Sequence, residues 1–221
     1  MKLKLVKKVD EAKDTKSFFF IPNEKTAWQA GQYAYLTIGE ITKQFTIASS
    51  PTENVIQITT RIREASEFKQ NLDSLEIGGL VESRLPFGSF VLNYTLNPVP
   101  YTLFLAGGIG ITPFRSMIKY NVDMNLNIPM HLIYSNSDSE FVFKKELDKW
   151  QQENDFVKIH YHNSSVSGHL DSQKLNQLIS NHSISSFWVV GPNMFVNATE
   201  DILEELKIPE DHIKTEKFIG Y

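Results

Sequence analysis

The chain has 221 residues, enough for two domains or one large one, with 41% hydrophobic and 22% charged residues and a formal net charge of -4. That composition gives no sign of disorder or of a fibre, and the mild negative charge offers no basic excess of the kind nucleic-acid binding needs. Cysteine is absent, so disulfides, thiolate nucleophiles and cysteine-held zinc or iron-sulfur clusters have no ligands here, and redox chemistry has to come from a borrowed organic cofactor.

The first segments have strand character: residues 3–9, 17–21, 33–38, 44–48, 55–61 and 81–85, separated by turn signals such as Gly31 with Gln32, Gly78 with Gly79, and Pro86 with Gly88. Only 66–75 reads as a short helix among them. This half predicts a small antiparallel Greek-key β-barrel. Past Asn97, Pro98 and Pro100, apolar runs alternate with helical periodicity, the pattern of a parallel sheet covered by helices. Strands are expected at 102–106, 130–134, 157–161, 187–190 and 213–218. One intervening helix should bury Phe143, Leu147 and Trp150, another Met194, Ala198 and Ile202. The predicted organisation is therefore a barrel domain over 1–97 and a five-stranded parallel α/β domain over 98–221. No segment reaches the ~18 to 20 apolar residues of a membrane span, and the first fourteen lack a signal-peptide run. A cytoplasmic protein is expected.

The segment Leu105-Ala106-Gly107-Gly108-Ile109-Gly110-Ile111-Thr112-Pro113 is a strand running into a glycine-rich turn and a helix. Glycines let backbone amides approach a diphosphate, Thr112 can cap the helix start, and Pro113 fits a first turn where a missing N–H costs nothing. A helix amino end then offers free N–H groups and a positive dipole to an anion. The spacing is not G-x-G-x-x-G, because Pro113 takes the last glycine position, and a tight strand-to-helix turn without ligand would use the same residues. A second loop, Val189-Val190-Gly191-Pro192-Asn193, also closes a strand and opens a helix; in a parallel sheet such ends line the ligand crevice. His160 and His162 share one strand face, but two imidazoles do not make a metal site, and none is expected.

Gly31-Gln32-Tyr33 and Lys43-Gln44-Phe45-Thr46, taken with these two loops and Glu216-Lys217-Phe218 in that order, resemble the ferredoxin-NADP reductase superfamily along the whole chain. The resemblance implies a barrel holding FAD, with FMN as the alternative, and a second domain taking NADH or NADPH. Lys43 stands where the family has an arginine at the flavin diphosphate, Phe45 where a tyrosine ring packs on the isoalloxazine, and Thr46 where a hydroxyl or amide meets the flavin edge. Lysine keeps the charge without the bidentate fork, and phenylalanine keeps the ring without the hydroxyl. Gln44 lies between them. The stretch Thr60-Arg61-Ile62, with Ser66, Phe68 and Lys69, is similar to the family's segment that leaves a flavin strand and starts a helix against the diphosphate.

By the same resemblance Glu216 lies near the transfer site, and Phe218 or Tyr221 covers the flavin. Thr46, Glu216 and Phe218 are the implied catalytic positions. Val190 replaces a cysteine that in much of the family touches the nicotinamide. Ser135 and Asp138 follow the second strand of the α/β domain, where a carboxylate favours a free ribose hydroxyl and hence NADH, while Lys144 and Lys145 leave NADPH open. The implied activity is a flavin-dependent NAD(P)H oxidoreductase that passes electrons to a separate carrier such as flavodoxin, ferredoxin or an oxygenase component. The rivals are a reductase of free flavin, ferric chelates or another small-molecule acceptor, and a non-catalytic nucleotide-binding redox module.

Overall fold

The computed structural model describes residues 1–94, 101–180 and 184–218. The first strands are β1 (Lys2–Ala12), β2 (Thr15–Pro22), β3 (Tyr33–Ile38), β4 (Ile41–Thr46) and β5 (Ile56–Arg61); the helix α1 (Glu67–Ser74) and β6 (Leu80–Phe87) follow. They make one antiparallel sheet in the order β4-β3-β6-β1-β2-β5, with β6 inserted between β1 and β3 as a Greek key requires. Alternation explains the core: β1 buries Leu3 and Leu5 while Lys2 and Lys4 stay exposed, and Phe18 and Phe20 of β2 are buried in the same cluster. Just past β4, the Ala48 N–H donates to the Gln57 carbonyl of β5 at 2.8 Å, which brings the two outer strands of that order together and rolls the sheet into a barrel.

The second sheet is parallel: β7 (Thr102–Gly107), β8 (Met130–Asn136), β9 (Val157–Asn163), β10 (Ser186–Pro192) and β11 (Ile213–Phe218), in the order β11-β10-β7-β8-β9. Every residue of β7 and β8 is buried, as expected of strands covered on both faces. The connections are α2 (Ile111–Asp123), α3 (Lys144–Glu153), the single turn α4 (Ser164–Ser167), α5 (Ser172–Ile179) and α6 (Asn193–Glu205). In α3, Leu147 and Trp150 are buried as the periodicity predicts. In α6 the buried stripe is Val196, Thr199, Ile202 and Leu203. Met194 is 86% exposed, so the expected Met194-Ala198-Ile202 stripe is rotated: the sheet selects the face led by Val196, and only Ile202 is common to both.

The chain forms two compact units, one of Met1–Leu92 with Thr112–Asp123, the other of Asn93–Ile111 with Met124–Tyr221. Asn97 and Pro98, where the sequence places the domain boundary, lie outside the described residues. Within the first unit, α2 is tied to residues 48–53. The buried Arg115 guanidinium makes a bidentate ion pair with Glu53 at 2.8 and 3.2 Å and donates to the Ala48 carbonyl at 3.0 Å. Ser116 Oγ donates to the Ser49 carbonyl at 2.7 Å, and Thr52 Oγ1 donates to Asp123. An arginine without such partners would be very costly to bury; here its charge and its planar donors are met.

Candidate functional site

In the barrel unit, strand register places the expected residues. Ala34 faces Phe45 and Leu36 faces Lys43 across the β3–β4 pair, and Ala34 and Leu36 are core residues, so Lys43 and Phe45 lie on the core-side face. Thr60 shares its face of β5 with buried Ile56 and Ile58. Its hydroxyl is buried with no hydrogen-bond partner. Phe45 is itself a core ring, 7% exposed, stacked on the buried Phe68 of α1 with centroids 5.5 Å apart. Thr46 is buried at the end of β4 and Gln44 is exposed. Ile62 packs on the core, and its N–H donates to the Asp14 carbonyl at 2.6 Å.

Ser66 is the N-cap of α1, its side chain accepting from the Lys69 N–H. Beyond that cap, Lys69 is buried and close enough to feel Arg63, Arg61 and Lys43. Burial first, and then those like charges, push its ammonium down to about 8. Four cations thus gather around one helix start, one of them buried. Sequence reading found three of the four; Arg63 joins them because it precedes the cap and its carbonyl is held by the Ser66 N–H and the Gln70 side chain, each at 3.0 Å. At the other end of α1, Lys16 pairs with Asp73 at 2.6 Å, fixing the helix against β2.

In the second unit the predicted residues gather at the carboxyl ends of β11, β10, β7 and β8. Gly110 and Gly191 are 81 residues apart in sequence (191 − 110); the structure puts the backbones of the two loops in contact. A Cβ on Gly110 would lie 2.3 Å from the Val190 carbonyl oxygen, and one on Gly191 would lie 3.1 Å from the Gly107 Cα. At Gly110 only glycine fits, since the atoms its Cβ would strike are backbone; at Gly191 a Cβ would press on the Phe195 ring and on Gly107. The turn over Gly108–Gly110 is 3-10 helix running straight into α2. Thr112 is therefore the second residue of the helix and not the cap the sequence predicted, since helical geometry has already begun at Gly108; Pro113 is in the first turn as expected. Ile111, Thr112 and Pro113 are all buried.

Parallel pairing sets Glu216 opposite Val190 and Phe218 opposite Pro192, so the terminal strand runs beside the Gly191 loop. Glu216 Oε2 is enclosed with no hydrogen-bond partner, and burial pushes its carboxyl up to about 7. Lys217 points to α6 and pairs with Glu200 at 2.9 Å. Pro192 precedes α6, and Asn193, its first residue, is exposed. Ser135 lies opposite Gly107 at the end of β8. Its neighbour Asn136, which sequence reading missed, has Oδ1 3.9 Å from where a Gly108 Cβ would be. Asn136 donates to Asp138 at 2.9 Å, and Asp138 also accepts from the Glu140 N–H at 2.8 Å. Asp138 thus shapes this loop with at least one of its oxygens. His162 Nε2 lies 2.8 Å from the Gly168 carbonyl oxygen. Tyr221 is outside the described residues.

The order of the parallel sheet makes β7 its first-laid strand, with β8 and β9 added on one side and β10 and β11 on the other. The ends of β7 and β10 are then the topological switch point, where open α/β sheets bind their ligands. The chain thus combines an antiparallel barrel with a parallel sheet of doubly wound order. Comparison with known proteins makes this specific. Residues 104–201 match the family described as the oxidoreductase NAD-binding domain. The flavohemoprotein of Oceanobacillus iheyensis is 25% identical over 97% of this chain and 58% of its own length. The glycine betaine monooxygenase reductase subunit of Chromohalobacter salexigens is 23% identical over 98% of this chain and 63% of its own. The chain thus spans about three fifths of these relatives. The ferredoxin-NADP+ reductase of Plasmodium falciparum superposes with a TM-score of 0.82 at 15% identity, over 98% of this chain and 95% of that one. The chain therefore shares the fold of that ferredoxin-NADP+ reductase. Among the described residues no helix is long and apolar enough to cross a membrane.

Proposed function

We propose that the chain is an NAD(P)H-dependent flavoprotein reductase, with FAD held by the barrel domain, residues 1–97, and the nicotinamide dinucleotide by the α/β domain, residues 98–221. The observation that carries the reading is the cation group around the start of α1, where Arg63, Arg61 and Lys43 lie close enough to Lys69 to add to the effect of burial in pushing its ammonium down to about 8. The diphosphate of FAD has the opposite charge, and the unpartnered Thr60 hydroxyl adds a donor on the same side of the sheet. The second dinucleotide suits the glycine contacts at the ends of β7 and β10, where backbone replaces side chain.

When bound, the flavin supplies two-electron uptake from the reduced nicotinamide and stepwise release of electrons to an acceptor. The chain's own residues bind and orient. Lys69, Lys43, Arg61 and Arg63 neutralise phosphate charge; the turn after β7 presents amides; Glu216, with its carboxyl raised to about 7 by burial, keeps a proton on a large share of molecules at neutral pH. Asp138, in a loop sequence without arginine, favours NADH over NADPH. The relatives named as a flavohemoprotein and as a monooxygenase reductase subunit support an electron-accepting partner of haem or oxygenase type.

The test is the visible spectrum of purified protein reconstituted with FAD or FMN, before and after anaerobic NADH. A bound flavin bleached by NADH, reoxidised faster by a carrier protein than by ferricyanide or free FMN, supports the reading. A colourless protein that takes up neither flavin and leaves NADH unoxidised overturns it.

A further inference from the structure

We propose that Phe195 is a positioning residue for the nicotinamide dinucleotide, its ring setting the separation of the two loops that end β7 and β10. This rests on the nucleotide reading of those strand ends. Phe195 is the third residue of α6. A Cβ on Gly107 would lie 2.5 Å from its Cγ and 2.6 Å from its Cδ1, and a Cβ on Gly191 would lie 2.8 Å from the same Cδ1. One ring therefore rests on the Cα of a glycine from each loop.

The two loops have no side chains of their own at these contacts, so the ring, which also packs against the core cluster of the parallel sheet, is what each glycine meets there. Its backbone is anchored one turn on, where the Thr199 hydroxyl donates to the Phe195 carbonyl at 2.7 Å. The two residues before it in α6, Asn193 and Met194, are exposed, which leaves Phe195 and the buried Val196 as the residues of the first turn that reach the sheet. An aromatic ring serving only the core would stabilise the fold and leave ligand binding alone. A ring that spaces two ligand-binding backbones acts on the affinity for the dinucleotide.

The experiment uses the full chain loaded with FAD and four variants: Phe195→Ala, Phe195→Leu, Gly107→Ala, and Gly107→Ala combined with Phe195→Ala. Steady-state NADH oxidation with ferricyanide gives KM and kcat, titration with NAD+ gives an affinity free of turnover, and the flavin spectrum and Tm report the rest of the molecule. Phe195→Ala is expected to raise KM about tenfold with kcat within about twofold, the signature of lost binding in ground and transition states alike. Phe195→Leu restores most of the affinity. Gly107→Ala is the more damaging single change, and adding Phe195→Ala recovers part of its NAD+ affinity, because the ring that the new methyl strikes has gone.

A lowered Tm with KM and NAD+ affinity unchanged in Phe195→Ala, or in Phe195→Leu should the alanine variant fail to fold, overturns the role. So does a double variant no better than Gly107→Ala. A parent chain that takes up FAD yet neither binds NAD+ nor oxidises NADH overturns the nucleotide reading itself, a result seen before any variant is made.

Discussion

At the start of α1 the molecule gathers charge: Lys69, Lys43, Arg61 and Arg63 converge although they repel one another. At the ends of β7 and β10 it gathers the lack of side chains, with Gly107, Gly110 and Gly191 letting two loops touch through their backbones. Both regions suit a phosphate-bearing ligand, on the reading proposed, and they reach that end by different physics. A charged receptor tolerates small displacements, since Coulomb attraction falls slowly with distance, but it weakens with salt and with loss of a proton. A backbone receptor is indifferent to both and intolerant of a single methyl group. The comparison can be broken at either end.

The largest effect is expected from Gly110→Ala. Its Cβ would lie 2.3 Å from the Val190 carbonyl oxygen and 2.6 Å from the carbonyl carbon, backbone atoms that cannot rotate away. The loops must part, and kcat/KM for NADH should fall about a hundredfold, as an ångström of misplacement does elsewhere. FAD affinity, measured by equilibrium dialysis, should stay within a factor of about two. An equal loss of flavin would mean that the two regions are not independent.

Next is Lys69→Met, which keeps the buried stem and removes the charge. It should weaken FAD about tenfold at low ionic strength and flatten the salt dependence of FAD binding, with little change in the KM for NADH. FAD binding that is insensitive to salt in the parent chain would sink the idea of a charged receptor.

Much of this was legible in the sequence, for identifiable reasons. Strands 33–38 and 213–218 match β3 and β11 to the residue, because both are short, end in turn residues and carry β-branched or aromatic side chains. The turn at Gly107 and the loop at Gly191 were each readable, but their contact was not: it depends on β7 and β10 lying side by side, a fact of sheet order that no local pattern encodes. Phe195 was missed because its partners are glycines, which leave no hydrophobic signal to match. Arg115 was missed because it interrupts an apolar helix face, and its carboxylate partner Glu53 is 62 residues away. Phe45 is set on the flavin by resemblance, and its ring stacks in the core against Phe68; alternation alone does not say what else meets that face.

A smaller effect distinguishes the two regions by pH. Lys69 is held near 8 in the folded chain against an ordinary 10.5. Below about pH 8 both folded and unfolded chains carry this proton, and the full cost of burying the charge is present; between about 8 and 10.5 the folded chain has released it and the unfolded chain has not, so stability of the flavin-free protein rises with pH over that window. Flavin binding should run the other way, since the anion needs the ammonium. The FAD dissociation constant is expected to climb several-fold from pH 7.5 to 9.5 in the parent chain and to stay flat in Lys69→Met. Parallel profiles in the two proteins would assign the dependence to another group.

The smallest effect expected is at Glu216, where burial holds the carboxyl at about 7 against an ordinary 4.5. Here the sign is opposite in proton terms. Between pH 4.5 and 7 the unfolded chain has ionised and the folded chain has not, so this group lowers stability as pH rises through that window, and its cost is fully present above it. Glu216→Gln should therefore raise Tm by about one to two degrees at pH 8 and leave it unchanged at pH 4. A purely structural glutamate would show only that gain. If Glu216 also serves the transfer site, as its pairing beside Val190 allows, the stabilised variant should be slower in single-turnover reduction by NADH and should lose the inflection near pH 7 expected of the parent chain. A variant that is more stable and reduced at the parent rate across that range would leave the backbone contacts alone responsible for this end of the molecule.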